Sequence, residues 1–183
     1  MLKATATNHP EILLLAADVF ADERGFFFES FNQRDFEAAV GSHISFVQDN
    51  QARSAQFVLR GLHYQVTHPQ GKLVRVLQGR IFDVAVDLRR HSSRFGQSVC
   101  VELSSAEHTQ MWIPPGFAHG YLVLSEGAEV AYKTTAYRAA EHERRVLWSD
   151  PAFKVDWPLD GHAPVMSEAD RTALPHGLSE LFD

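Results

Sequence analysis

Hydrophobic positions in this chain come in short bursts separated by polar and turn residues, not in the three-and-four spacing of long helices. Leu59–Val66, Lys72–Leu77, Ile81–Val86, Val99–Leu103, Met111–Ile113, Tyr121–Leu124 and Glu129–Thr134 all read as strands at short, even intervals. Ile12–Leu15 and Phe26–Phe31 are two earlier strands, with the charged loop Phe20–Gly25 leading into the second. Three adjacent rings, Phe26, Phe27 and Phe28, must face both ways, so at least one leaves the core, unless the strand is buried on both sides. One early helix is predicted over Asn32–Val40, with Asn32 as its cap, Asp35 in its first turn, and Gly41 to end it. Phe46–Asn50 runs into a polar stretch ending near Gln56, which reads as a loop whose amides could also meet the edge of a planar base. A tail punctuated by Pro151, Pro158, Pro164 and Pro175 contains a short helix over Glu168–Leu174.

Evenly spaced strands divided by turn signals indicate an all-β antiparallel barrel or sandwich. One domain is expected over 1–183, with a strand-rich core from about 45 to 135 and an irregular tail from about 148. Thr67–Gly71 and Gln78–Arg80 read as hairpin turns, the first returning Lys72 close to His63. Regular alternation would put Arg60 and His63 on opposite faces. Gly61, between them, marks a place where a bulge could re-aim one of them.

At 183 residues and 45% hydrophobic, the chain has enough apolar material for a real core. Its net charge of -6 excludes a sequence-independent grip on nucleic acid, though not a local basic pocket. The single Cys100 cannot form an internal disulfide, which suits a reducing cytoplasm. Ile12–Ala17 is far too short to span a bilayer and follows Glu11 where a signal peptide would have a basic leader. A soluble cytoplasmic protein is expected, with neither membrane nor nucleic acid as partner.

Pro114–Pro115–Gly116–Phe117–Ala118–His119 matches the P-x-G-x-x-H of the second cupin motif, which sets a histidine in the mouth of a jelly-roll barrel. Where metal-binding cupins carry an H-x-H, this chain has His63–Tyr64–Gln65, and a metal needs at least three protein ligands. Asp22–Phe31, Gln48–Asn50, Leu59–Gln65 and Tyr132–Thr135 follow in order, and from Ile12 to Asp170 the chain resembles the dTDP-4-dehydrorhamnose 3,5-epimerases, metal-free cupins of the dTDP-L-rhamnose pathway.

The resemblance implies a cupin-type antiparallel jelly-roll barrel with short peripheral helices, a dTDP-4-keto-6-deoxyhexose substrate, no cofactor, no metal, and a homodimer whose partner completes each site. It implies His63 as base, Asp170 as its carboxylate, Tyr132 as acid on the opposite sugar face, and Lys72 beside the oxyanion. Arg24, Glu29, Gln48, Asn50, Arg60, His119 and Glu143 would contact substrate. Taken without the family, Asp170 reads as half of a capping box with Ser167, Tyr132 as a core aromatic, His119 as a structural residue of the cupin turn, and Arg24 as a solvated charge.

The residue types suit the chemistry. Inverting a carbon beside a ketone needs a base near neutral pKa on one face and a hydroxyl acid on the other, with a cation for the enolate oxygen. Two departures stand out: Tyr137 is followed by Arg138 where the family commonly has a second aromatic, and Ala169 stands where a lysine often precedes the aspartate. They leave open an enzyme that inverts C3 or C5 alone. A sugar-nucleotide-binding cupin without catalysis is the alternative from another class, and a metal-dependent oxygenase is a weaker third.

Overall fold

The structure, a computed structural model, describes residues 2–183. Two antiparallel sheets face one another. The first has the order β1 (Lys3–Ala6), β2 (Leu13–Ala16), β10 (Thr109–Ile113), β7 (Lys72–Gln78), β12 (Gly127–Thr134) and β5 (Gln48–Ala55). The second has the order β13 (Glu143–Arg145), β6 (Leu59–Gln65), β11 (Phe117–Val123), β8 (Arg80–Asp87) and β9 (Ser98–Ser104). A small hairpin of β3 (Phe20–Asp22) and β4 (Gly25–Phe27) stands apart. This is the all-β antiparallel arrangement expected from the spacing of the strands, in the jelly-roll form that the resemblance implies.

The two hairpins expected around β7 do not form. β6, β7 and β8 are consecutive, yet β7 lies in one sheet and its two neighbours in the other. The chain does turn at both places, but a turn between strands cannot reveal whether the next strand pairs with its predecessor or crosses to the facing sheet. Crossing is favoured because it lets both strands bury their inner faces against each other. Lys72 still arrives at His63, now from the opposing sheet, with Nζ 3.4 Å from the His63 carbonyl oxygen.

Three apolar clusters explain the layering. Val74, Val76, Ile81, Ala85, Met111, Ile113, Phe117 and Val130 fill the space between the sheets. Leu59, Leu62, Val84, Val86 and Leu122 point out of the second sheet and are covered by Val146, Phe153, Trp157 and Leu181 of the tail. Leu15, Leu73 and Trp112 point out of the first sheet and are covered by Phe36 of helix α1 (Gln33–Val40). That helix starts where expected: the Asn32 side chain accepts from the backbone of Arg34 and Asp35, and Gly41 closes it with φ +76°.

Four sequence expectations need correction. The polar stretch after Val47 is strand β5, whose residues alternate in burial; it has no apolar face because one side meets water and the other a polar cavity. Phe20–Gly25 is half of a hairpin and not a loop, and the strand predicted over Phe26–Phe31 ends at Phe27. β1 went unpredicted, being exposed throughout and held by pairing with β2. The tail helix α2 spans only Glu168–Arg171. No helix among the described residues is long and apolar enough to cross a membrane.

Candidate active site

A cavity of about 210 Å³ opens between the sheets, lined by Gln48, Asn50, Ala52, Arg60, His63, Gln65, Gln70, Lys72, His119, Tyr121, Tyr132, Arg138 and Glu143, among others. Register explains most of this set. Tyr132 pairs with Asn50 on one side and Val74 on the other, and Thr134 pairs with Gln48 and Lys72. The even-numbered positions of β5, β7 and β12 therefore share the inward face.

On β6 simple alternation fails, and usefully so. His63 lies opposite His119 and Arg60 opposite Tyr121, so three steps along β6 match two along β11. This β-bulge turns both Arg60 and His63 into the cavity. Gly61 sits in it with φ +123°, and a Cβ there would lie 2.6 Å from Gly120 Cα. A Cβ on Gly120 would in turn lie 2.6 Å from the Arg60 carbonyl oxygen, so the two strands close on each other only because both residues are glycine.

His63 Nε2 lies 2.5 Å from Asp170 Oδ1. The His63 side chain is 30% exposed and that of Asp170 only 6%, so the ring looks into the cavity with the carboxylate behind it. Asp170 is placed by α2, where the Ser167 hydroxyl accepts from its backbone N–H; the capping arrangement and the contact with histidine coexist. Burial pushes the Asp170 carboxyl up, but the hydrogen bond and charge of His63, together with hydrogen bonds from Ser167 and the Gly61 backbone, hold the group below its ordinary value.

Lys72 is buried, and burial lowers its ammonium to about 8, with Asp83 and Glu143 drawing it partway back. Burial likewise raises the Tyr132 phenol above its ordinary value. His119 is also buried, its Nε2 2.7 Å from Asp83 Oδ1 and its pKa lowered by burial, so its ring both lines the cavity and ties β11 to β8.

Nine of the eleven residues singled out in the sequence belong to this one constellation: His63, Lys72, Tyr132, Gln48, Asn50, Arg60, His119 and Glu143 line the cavity, and Asp170 backs His63. The other two lie elsewhere. Arg24 is on the β3–β4 turn, paired with Asp22, and Glu29 accepts from the Asn32 side chain beside a separate shallow pocket. Tyr121 and Gln70 went unnamed, although Tyr121 follows His119 by the two-residue step of a strand. Gln65, in the place of a second cupin histidine, spends its amide on backbone: it donates to the carbonyls of His68 and Tyr137 and accepts from Ala139 N–H. Among the described residues no group of three or more His, Cys, Asp or Glu side chains is arranged to hold a metal ion.

Known proteins resemble this chain over nearly all of its length. The model of the family described as dTDP-4-dehydrorhamnose 3,5-epimerase matches residues 6–176. The dTDP-4-dehydrorhamnose 3,5-epimerase of Pseudomonas aeruginosa is 59% identical over 181 residues, 99% of each chain. Among solved structures, dTDP-6-deoxy-D-glucose-3,5-epimerase of Legionella pneumophila in complex with dTDP-4-keto-L-rhamnose superposes with a TM-score of 0.95 at 46% identity, covering 98% of this chain and 95% of that one. A 3'-monoepimerase of Streptomyces bikiniensis in complex with dTDP-quinovose superposes with a TM-score of 0.87 at 27% identity, covering 94% and 87%.

Proposed function

Because this chain belongs to the dTDP-4-dehydrorhamnose 3,5-epimerase family, we propose that it inverts C3 and C5 of dTDP-4-dehydro-6-deoxy-D-glucose, giving dTDP-4-dehydro-L-rhamnose. The observation carrying this reading is the convergence of His63, Tyr132 and Lys72 on one cavity, with Asp170 behind the imidazole. The ring nitrogen of His63 not held by Asp170 takes the proton from the carbon beside the ketone. The electron pair moves onto the ketone oxygen, where the Lys72 ammonium stabilises the enolate. Tyr132 returns a proton to the opposite face, after which His63 gives its proton to solvent and Tyr132 regains one. Asp170 orients the imidazole and stabilises it while protonated, as carboxylates do in other proton-transfer sites. The steps need no redox cofactor, since substrate and product have the same oxidation state.

Gln48, Asn50, Arg60, His119 and Glu143 hold the sugar nucleotide, and Arg60 supplies a cation for its diphosphate. Arg24 and Glu29 act in a homodimer. They flank the exposed rings of Phe26 and Phe27, 62% and 67% accessible, on a hairpin that seats against a second copy and delivers both side chains to its cavity. The single Cys100 suits a cytoplasmic enzyme supplying a deoxysugar for surface carbohydrate such as lipopolysaccharide.

The test is proton NMR of the 4-keto sugar nucleotide in D₂O, with a downstream reductase trapping the product. Deuterium entering C3 and C5, and an L-rhamno product, are expected. Exchange no faster than without the protein overturns the reading, and exchange at one carbon alone replaces it with a mono-epimerase.

A further inference from the structure

Asp170 Oδ1 receives two donors: His63 Nε2 at 2.5 Å and Arg145 Nε at 3.1 Å. The other arm of Arg145 reaches Glu143 Oε1 at 2.7 Å, and Glu143 Oε2 accepts from Arg138 Nε at 2.9 Å. One guanidinium thus bridges the carboxylate behind the imidazole and the carboxylate on the cavity wall. β13 makes this possible, because Arg145 pairs with His63 and Glu143 with Gln65 in the ladder against β6.

We propose that Arg145 is a positioning residue that sets the basicity of His63, by competing with the imidazole for the same oxygen of Asp170. This rests on the reading of His63 as the base. A carboxylate devoted to one imidazole strongly favours its protonated form, and a histidine that is already protonated cannot abstract a proton. Arginine stays charged at any working pH, so it withdraws part of the Asp170 charge permanently and opposes a second positive charge beside it. The other groups around His63 come from five further elements and its own strand: Lys72 of β7 at its carbonyl, His119 of β11 as its ladder partner, Asp83 of β8 behind His119, Tyr132 of β12 in the same cavity, Glu143 of β13, and Arg60 of β6. Of these, Glu143 is itself shared with Arg138, so Arg145 keeps charge to spare for Asp170. The Arg145 side chain is 32% exposed, which places its effect at the small end of the range for such pairs.

The pH dependence of kcat/KM and the NMR titration of the His63 ring, assigned by the signal lost in His63→Asn, test this in Arg145→Gln, Arg145→Lys and Glu143→Gln. In Arg145→Gln both midpoints rise, and Arg145→Lys brings them most of the way back. In Glu143→Gln, which releases Arg145 to Asp170, the His63 midpoint falls. Unchanged midpoints in folded Arg145→Gln overturn the inference. So does a lysine variant shifted as far as the glutamine one, or, should Arg145→Gln not fold, a Glu143→Gln midpoint that does not fall. Lack of epimerisation by the unsubstituted protein would overturn the functional reading instead, and the NMR titration would still judge Arg145.

Discussion

His63 and His119 lie opposite one another across the β6–β11 ladder, and each ring is held by a carboxylate from another element, Asp170 of α2 and Asp83 of β8. Their settings differ: His63 opens on the cavity, whereas His119 and Asp83 are both buried. Substitution should separate them. His63→Asn is expected to lower kcat by about 10²–10⁴-fold, with a stability loss limited to its partly exposed contact with Asp170. His119→Asn, which disturbs a buried charge-assisted hydrogen bond, is expected to cost about 1–3 kcal/mol of stability. Turnover assays paired with urea denaturation of both variants check this.

Tyr132→Phe should uncouple exchange from inversion. The variant keeps His63 and Lys72, so protons still leave the sugar and deuterium still enters from D₂O. Without the phenol on the far face, net epimerisation falls by about 10²-fold or more. An NMR time course that follows isotope entry and product in one sample shows whether the two rates part.

Lys72 predicts an alkaline limb. Burial holds its ammonium at about 8 against an ordinary 10.5, so kcat/KM should fall as pH rises through about 8 and the cation is lost. Stability moves the other way. Between those two values the unfolded chain binds more protons than the folded one, so the Lys72 contribution to stability rises with pH across that window. Lys72→Met should lose the limb together with much of the activity. The difference in unfolding free energy between wild type and Lys72→Met, followed from pH 7.5 to about 10.5 in urea, should shift in favour of the wild type.

For Asp170 the sign is the opposite. Its folded pKa lies below its ordinary 3.8, so its ionised form contributes stability above that value, and the contribution is lost as pH falls through the lower folded pKa. Asp170→Asn lacks this term. Its unfolding curve should lie below that of the wild type near pH 6, and the gap should close as the medium is acidified below about pH 4.

Gly120→Ala tests the glycine contact. The new methyl would press on the Arg60 carbonyl at 2.6 Å, which is backbone and cannot swing aside. A loss of about 1–3 kcal/mol is expected, together with a rise in KM as Arg60 and His63 are displaced. An unchanged melting temperature would show that β6 and β11 can separate without cost.

The strands of the barrel were legible because each carries an apolar face, and the helix because Asn32 and Gly41 mark its ends. β5 was not, since alternation between water and a polar cavity leaves no hydrophobic signal. Pairing was hidden for a different reason: the turns after Val66 and Leu77 specify a change of direction and say nothing about which sheet receives the next strand. The cavity residues came chiefly from family resemblance. Asp170 in particular looks from its local sequence like a helix-cap residue, and it is one. Arg145 carried no signal, because its importance arises from a ladder register that appears only after β13 docks on β6.

The imidazole and its carboxylate are 107 positions apart, and the second belongs to the segment that wraps the outside of the finished sheet. On the ribosome, every strand from β1 to β13 has been made before Asp170 is added. The nascent polypeptide therefore carries its histidine without a counter-charge until the wrapping segment has been added, and any chain ending short of that codon lacks the pair altogether.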